Sequence, residues 1–503
     1  METTLQSRGR VVAVTGAVLL AALYAAGINP WYLPDAHDDV LYHEAARSLA
    51  TGEGYAWHGE RISDWPPGFA VVLSIAIRLG FGSIAAAKLL VAGLAALALV
   101  TLWRLLTIEG RPRPGLTVVA MALLPAAFQA GTRIMSEWPY MLWSFLFLLV
   151  LDRLARARER RVAWAVLAGL LLGASALTRY VGVFLGAALL FQAVRTWRQA
   201  PPGRRLATVW PLGLAAGLGA SLFVAWVAFV ASSIGFTDAR NAEAAAYAHF
   251  EPVTMLGAIA NVVLNLASVL RHLGVAGTAL GALVGLVAIT GFVLRLRSGR
   301  ASPSDAYALA VLAFTIVYEG SPVPVVTRYL VPIAPFCLGA LAAGASHLAT
   351  LAGADRRPGW SRVVALGIGL WLAGLTAMDL TLVAVGKPGG AHGGLSPLVS
   401  PTAADFYRGR WRDLWDACLY VRERPEPGSV TELPWPTRYL AAFSGRETVS
   451  FLPGRGQEPA GRPDLAFLLA PDGEPVPTEL TAAYTAEPLA RFGTITLFRT
   501  ARR

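Results

Sequence analysis

The chain has 503 residues, 55% of them hydrophobic and only 15% charged. That is too apolar for an ordinary soluble protein, and its apolar runs repeatedly reach the roughly 20 residues that span a bilayer. Its 43 Lys and Arg against 32 Asp and Glu leave a net charge of +11, but the basic residues fall in short loops between apolar runs, which is the pattern of membrane topology rather than of nucleic-acid binding.

The first apolar run, from Val11 to about Gly27, follows Arg8 and Arg10 and is not closed by a clean small-x-small cleavage site, so it reads as a retained signal anchor. The acidic cluster Asp35, Asp38, Asp39 and Glu44 comes next. Residues 39–51 carry helical apolar spacing at Val40, Leu41, Ala45 and Leu49 and are stopped by Gly52, which predicts a helix lying in the membrane interface. The segment after Pro66-Pro67-Gly68 is apolar but too short to span and reads as a half-inserted helix started by proline.

Hydropathy predicts about eleven spans, at 11–29, 84–107, 115–132, 138–154, 162–178, 181–196, 207–233, 275–295, 305–320, 329–350 and 362–385. Arg8/Arg10, Arg111/Arg113, the block from Arg153 to Arg161, Arg195/Arg198/Arg204/Arg205, Arg295/Arg297/Arg300 and Arg356/Arg357/Arg362 then share one face, predicted to be cytoplasmic. The other face receives residues 30–83, Ser136-Glu137, Arg179, Arg328 and everything after about 386. The segment 252–272, with Asn261, Asn265, Arg271 and His272, reads as an outer re-entrant or interfacial helix.

After Gly386 the texture turns Gly- and Pro-rich and then ordinary. The reading is a mainly α polytopic membrane part at 1–385, a linker at 386–402 and a small α/β extracytoplasmic domain at 403–503. In that domain Trp411 to Arg424 reads as an amphipathic helix, and the runs at 429–433, 448–452, 465–469 and 494–498 read as strands. The expected location is the cytoplasmic membrane, multi-pass, with the N-terminus inside and the C-terminus outside. Cys337 lies in an apolar run and Cys418 in the polar tail, with no CxxC or Cys/His spacing for a metal.

The outer face collects the chemistry. Asp38, Asp39, Glu44, Glu137, Arg133, Arg179, Arg328 and Tyr329 all fall near the outer ends of helices, and ionised groups at a low-dielectric boundary are costly unless they work. Asp39 suits helix N-capping; a second acid beside it is surplus to capping, which makes Asp38 the better general base. Glu137 follows Ser136 and precedes Pro139, all favoured at a helix start. Arg179 and Arg328 interrupt apolar runs, where a guanidinium either snorkels to headgroups or grips phosphate through its planar fork. His37 and His43 flank the acids at no dependable ligand spacing and read as solvated.

Asp38-x-x-x-Tyr42 with Ala45-x-x-Leu49-x-x-Gly52, Pro66-Pro67-Gly68, Ser136-Glu137, Leu177-Thr-Arg179 and Arg328-Tyr-Leu-x-Pro332-x-x-Pro335 together resemble the GT-C class of membrane glycosyltransferases. The resembling branch contains the protein O-mannosyltransferases and the lipid A aminoarabinose transferase. The resemblance implies a polyprenyl-phosphate-linked donor of a hexose or pentose, and a glycan, lipid or protein acceptor outside the membrane. It implies transfer by a single inverting displacement, with Asp38 as base, Asp39 and Glu137 supporting the acceptor or a metal, and Arg179, Arg328 and Tyr329 at the donor phosphate. A divalent ion (Mg or Mn) held by Asp38 and Glu137 stays open but is not obligatory, because two arginines supply positive charge. Two positions depart from the branch: Trp65 stands where relatives often carry Lys before the Pro-Pro pair, and the second acid is Glu137 rather than Asp. A lipid-linked sugar flippase or transporter, which should show inverted repeats and midplane acids, and an oligosaccharide polymerase or ligase, with a large late outer loop rich in arginines, are the alternatives.

Overall fold

A computed structural model describes residues 15, 16, 18–20, 22–28, 37–57, 60–62, 65–157, 159–234, 257, 263, 274–318, 329–351, 410–426, 428–432, 465–471 and 484–502. Helical residues between 15 and 26 form α1. The helices α2 (His37–Thr51), α3 (Gly68–Arg78), α4 (Ile84–Ile108), α5 (Pro114–Ala122), α6 (Pro125–Gly131), α7 (Glu137–Arg156) and α8 (Arg161–Thr178) follow. After a 3-10 turn at Tyr180–Phe184 come α9 (Leu185–Gln199), α10 (Arg205–Ile234), α11 (Gly274–Arg297), α12 (Pro303–Tyr318) and α13 (Ala334–Leu351).

Seven described segments are long and apolar enough to cross a membrane: Ile84–Ile108, Glu137–Arg156, Arg161–Thr178, Tyr180–Gln199, Pro202–Ser232, Val275–Arg297 and Val331–Leu348. Their outward faces carry exposed Leu89, Leu97, Leu170 and Val224, which hydrocarbon accommodates and water does not. The predicted span 115–132 is instead two short helices. Pro125 opens α6, and the residue before it, Leu124, takes the extended ψ of 125° that proline imposes on its predecessor. The predicted span 305–320 appears as the 16-residue α12. The span 362–385, the segment 252–272 apart from two residues, and the linker 386–402 lie outside the described residues.

The bundle is assembled around close helix contacts. α8 runs along α10, α7 packs between α4 and α8, and α11 packs on α13. Gly169 and Gly173, one turn apart on α8, face Leu218 and Leu222 of α10 so tightly that an added Cβ would overlap them. Small residues at four-residue spacing allow membrane helices this approach. α2 is not the surface-lying helix its apolar spacing suggests: Val40, Leu41, Tyr42, Ala45 and Ala46 are buried, and so are Asp39 and His43. It packs against α3, and Gly52, at φ +91°, ends it as predicted.

In the C-terminal part, α14 (Arg410–Arg422) packs on a four-stranded sheet of β3 (Ser429–Glu432), β4 (Leu465–Pro471), β5 (Tyr484–Phe492) and β6 (Ile495–Arg502). The two-residue strands β1 (Ala56–Trp57) and β2 (Glu60–Arg61) pair separately near α2. The sheet order is β3-β4-β6-β5, with β3 parallel to β4 and the other pairs antiparallel. Asp413 of α14 accepts hydrogen bonds from the Thr494 N–H at 2.7 Å and the Thr494 hydroxyl at 2.8 Å, tying helix to hairpin. The predicted strand at 448–452 lies outside the described residues.

One contact fixes how α3 enters the bundle. A Cβ on Gly68 would come within 2.7 Å of the Leu177 carbonyl oxygen and 2.9 Å of Thr178 Oγ1 at the end of α8. Backbone cannot yield there as a side chain would, so Gly68→Ala should destabilise the protein by roughly 1 to 3 kcal/mol. Thermal unfolding in detergent checks this; an unchanged midpoint would mean that α3 and α8 do not meet so closely.

Candidate active site

The charged residues meet at one end of the bundle. The first turn of α2, the N-termini of α4 and α7, the C-terminus of α8 and the residues just before α13 share that end, because α4 and α7 run in the same direction, with α5 and α6 carrying the chain back between them, and α8 runs the opposite way. Their side chains come from segments far apart in sequence, and burial decides the role each can take.

Glu137 opens α7 and is 1% exposed, and Arg179 ends α8 at 9%. Arg179 Nη1 donates to Glu137 Oε1 at 2.8 Å and to Ser136 Oγ at 3.0 Å. The arginine backbone explains the reach: Arg179 is extended at φ −150° and ψ 137°, so the chain leaves the helix there and the side chain turns across to α7. The guanidinium also stands over the Tyr329 ring, 5.5 Å from its centroid, a cation–π contact that strengthens when desolvated. Arg328 lies outside the described residues.

The two adjacent aspartates differ. Asp39 is fully buried, whereas Asp38 is partly exposed. Because α2 begins at His37, Asp39 is inside the first turn rather than at the cap, and its Oδ1 accepts from the next N–H, that of Val40, at 2.8 Å. The charge that balances it was not singled out by sequence. Lys88, in the second turn of α4, is fully buried; the Asp39 charge attracts it and the Arg133 charge repels it. Arg133 is 6% exposed, and its Nε has no hydrogen-bond partner among the described residues.

Tyr42, one turn beyond Asp38 on α2, is 2% exposed and donates from its hydroxyl to Ser136 Oγ at 3.1 Å. Ser136 Oγ thus accepts from both Tyr42 and Arg179. Trp65, in the position before the Pro-Pro pair, packs partly buried against the core, and its carbonyl accepts from the Tyr55 hydroxyl at 3.1 Å. His43 is not the solvated histidine expected. It is fully buried in α2, and burial, helped by the Arg47 charge, pushes its imidazole down to about 3, so the ring is neutral. The His37 side chain lies outside what is described.

Among the described residues no three His, Cys, Asp or Glu side chains gather as metal ligands. Of the two carboxylates suggested for a divalent ion, Glu137 already receives Arg179, and a neighbouring guanidinium repels a second cation. Among the described residues this donor set does not fit a protein-held metal.

No protein-family model matches the chain, and no curated protein sequence does. Solved structures do. ArnT from Cupriavidus metallidurans bound to undecaprenyl phosphate superposes with a TM-score of 0.60 at 17% identity, covering 97% of each chain. The oligosaccharyltransferase AglB from Archaeoglobus fulgidus, in complex with an inhibitory peptide and a dolichol-phosphate, gives 0.51 at 13% identity over 93% of this chain and 70% of its own. The mycobacterial arabinofuranosyltransferase AftD gives 0.50 at 16% identity, covering 99% of this chain and 40% of that larger one. Identities this low speak for architecture: the chain has the fold of the GT-C membrane glycosyltransferases.

Proposed function

We propose that this protein is a membrane glycosyltransferase that moves a sugar from a polyprenyl-phosphate donor to an acceptor hydroxyl at the outer face of the membrane. The observation that carries the reading is the gathering of Asp38, Asp39, Glu137, Lys88, Arg133 and Arg179 at one end of a bundle with the fold of ArnT. ArnT was solved with undecaprenyl phosphate and AglB with a dolichol-phosphate, and a buried arginine set beside carboxylates suits such a phosphate. The arginine-rich loops support a multi-pass protein of the cytoplasmic membrane with this end and the 403–503 domain outside, joined to the 1–385 part by the 386–402 linker. The acceptor is a glycan, lipid or protein carrying a free hydroxyl.

Burial sorts the acids. A general base must reach the acceptor, and Asp38 is the partly exposed member of the three, while Asp39 and Glu137 are buried and face cations. Asp38 takes the acceptor's hydroxyl proton as that oxygen bonds to the anomeric carbon. The bond from that carbon to the phosphate oxygen breaks on the opposite side with inversion, and polyprenyl phosphate leaves with the electron pair. Arg179 spends Nη1 on Ser136 and Glu137, which leaves its other N–H groups for a phosphate oxygen, next to Tyr329 and, one residue earlier in the chain, Arg328. Glu137 fixes that guanidinium and supports the acceptor side, as Asp39 supports the first turn of α2. Because phosphate leaves readily, placement of the reactants carries most of the barrier reduction. No step is routed through a metal.

Two measurements test these assignments. Asp38→Asn keeps the shape but cannot take the proton, so turnover with a polyprenyl-phosphate sugar should fall roughly 10² to 10⁴ fold, with donor binding retained. Near wild-type transfer by that variant, with Glu137→Gln dead, would move the base elsewhere. Lys88→Met removes the cation facing Asp39 and should cost about 3 to 5 kcal/mol of stability, part of which adding Asp39→Asn restores. A Lys88→Met protein that melts with the wild type would show that the two charges do not depend on each other.

A further inference from the structure

Tyr42 sits where the acid helix and the arginine meet. It follows Asp38 by four residues, so the two share a face of α2. Its ring is held edge-on by Phe69 of α3, centroids 5.0 Å apart at 69°, and Phe69 is fully buried beside Gly68, which abuts α8. Only the hydroxyl remains to act. It reaches Ser136 Oγ at 3.1 Å, and the same oxygen takes Arg179 Nη1 at 3.0 Å. A serine oxygen offers two lone pairs, and here they are given to these two donors. One atom therefore sets α2 against the C-terminus of α8.

We infer that Tyr42 is a positioning residue for glycosyl transfer, holding the Asp38 helix in register with Arg179 through Ser136. The inference rests on the reaction proposed above and adds a residue and a route to it. If Arg179 holds the donor phosphate and Asp38 the acceptor proton, the Tyr42–Ser136–Arg179 chain sets the distance between the group that leaves and the group that attacks. A displacement needs those two in line, and a shift of about 1 Å at the reacting centre can cost on the order of 10² fold in rate. Tyr42 touches neither reactant; its loss should appear in turnover and not in donor affinity. The ring packing against Phe69 is a separate task, and Tyr42→Phe leaves it intact.

The test uses the full-length protein reconstituted in nanodiscs, with polyprenyl-phosphate hexose and pentose as donors and an envelope-lipid extract as acceptor. kcat and donor KM are measured for wild type, Tyr42→Phe, Ser136→Ala, Ser136→Thr and the Tyr42→Phe/Ser136→Ala double variant. Tyr42→Phe should lower kcat by about tenfold or more, with donor KM and melting temperature near wild type. Ser136→Thr, which keeps a hydroxyl, should recover most of what Ser136→Ala loses, and the double variant should be no slower than Ser136→Ala alone. Wild-type kcat in Tyr42→Phe, or a raised KM at unchanged kcat, overturns the positioning role; multiplicative losses in the double variant overturn the route through Ser136. Failure of the glycosyltransferase reading itself is visible separately, as a wild-type protein inactive on every donor, and it removes the step that Tyr42 would serve.

Discussion

The Glu137–Arg179 pair is the interaction on which the arrangement of this end of the bundle depends. Two ions at 1% and 9% exposure cannot be kept without each other, because the desolvation cost of either alone exceeds what a lone hydrogen bond returns. Glu137 is the first residue of α7 and Arg179 follows directly on α8, so the pair fastens the start of α7 to the end of α8. Ser136 then adds α2 through Tyr42, and Tyr329 adds the entry to α13 through the guanidinium face. Four segments that have no sequence neighbourhood share one guanidinium and its contacts.

The opposite end of the helices is held by a different ionic cluster. Asp305, 1% exposed, accepts from Arg111 at 2.8 Å, from Arg295 Nε and Nη2 at 3.1 Å and from the Ser302 N–H at 2.8 Å. Glu109 accepts from Arg111 at 3.0 Å and from the Ser304 hydroxyl. This joins the α4–α5 turn to the α11–α12 turn. Asp305 also takes the Ser302 hydroxyl at 3.1 Å, and a carboxylate with five donors is fully used by structure and has no capacity for a reactant. The contrast with Asp38 is physical: one end of the bundle buries a carboxylate saturated with donors, and the other leaves an acid partly exposed.

Much of this was legible in the sequence because hydrophobic length and capping act locally. The helix read at 39–51 and found at His37–Thr51, its stop at Gly52, the helix after Pro67 and the long apolar helices all follow from residues that interact within a turn or two. Ser136-Glu137 and Arg179 could be placed on one face by the alternation of arginine loops, but their pairing could not, since nothing local aims one at the other. Lys88 was invisible for the same reason. A single lysine near the start of Ala-Ala-Ala-Lys-Leu-Leu looks like a snorkelling charge, and only the packing of α2 gives it Asp39. The strand Tyr484–Phe492 escaped because Pro488 argues against a central strand; it is tolerated at the sheet edge, where the pairing with β6 slips between Pro488 and Ala490.

The burial pattern also revises what a pair of adjacent aspartates means. Successive residues on a helix point about 100° apart, so Asp38 and Asp39 cannot both face the same partner. Asp39 faces inward, where the charge of the equally buried Lys88 attracts it. Asp38, four residues before Tyr42, shares the face of α2 from which Tyr42 reaches Ser136. Capping would have been served by either one, and catalysis by either one; the fold separates them by direction. The inward acid anchors the start of the helix within the bundle, and on the reaction proposed above that anchorage lets the outward one hold the fixed position that transfer requires.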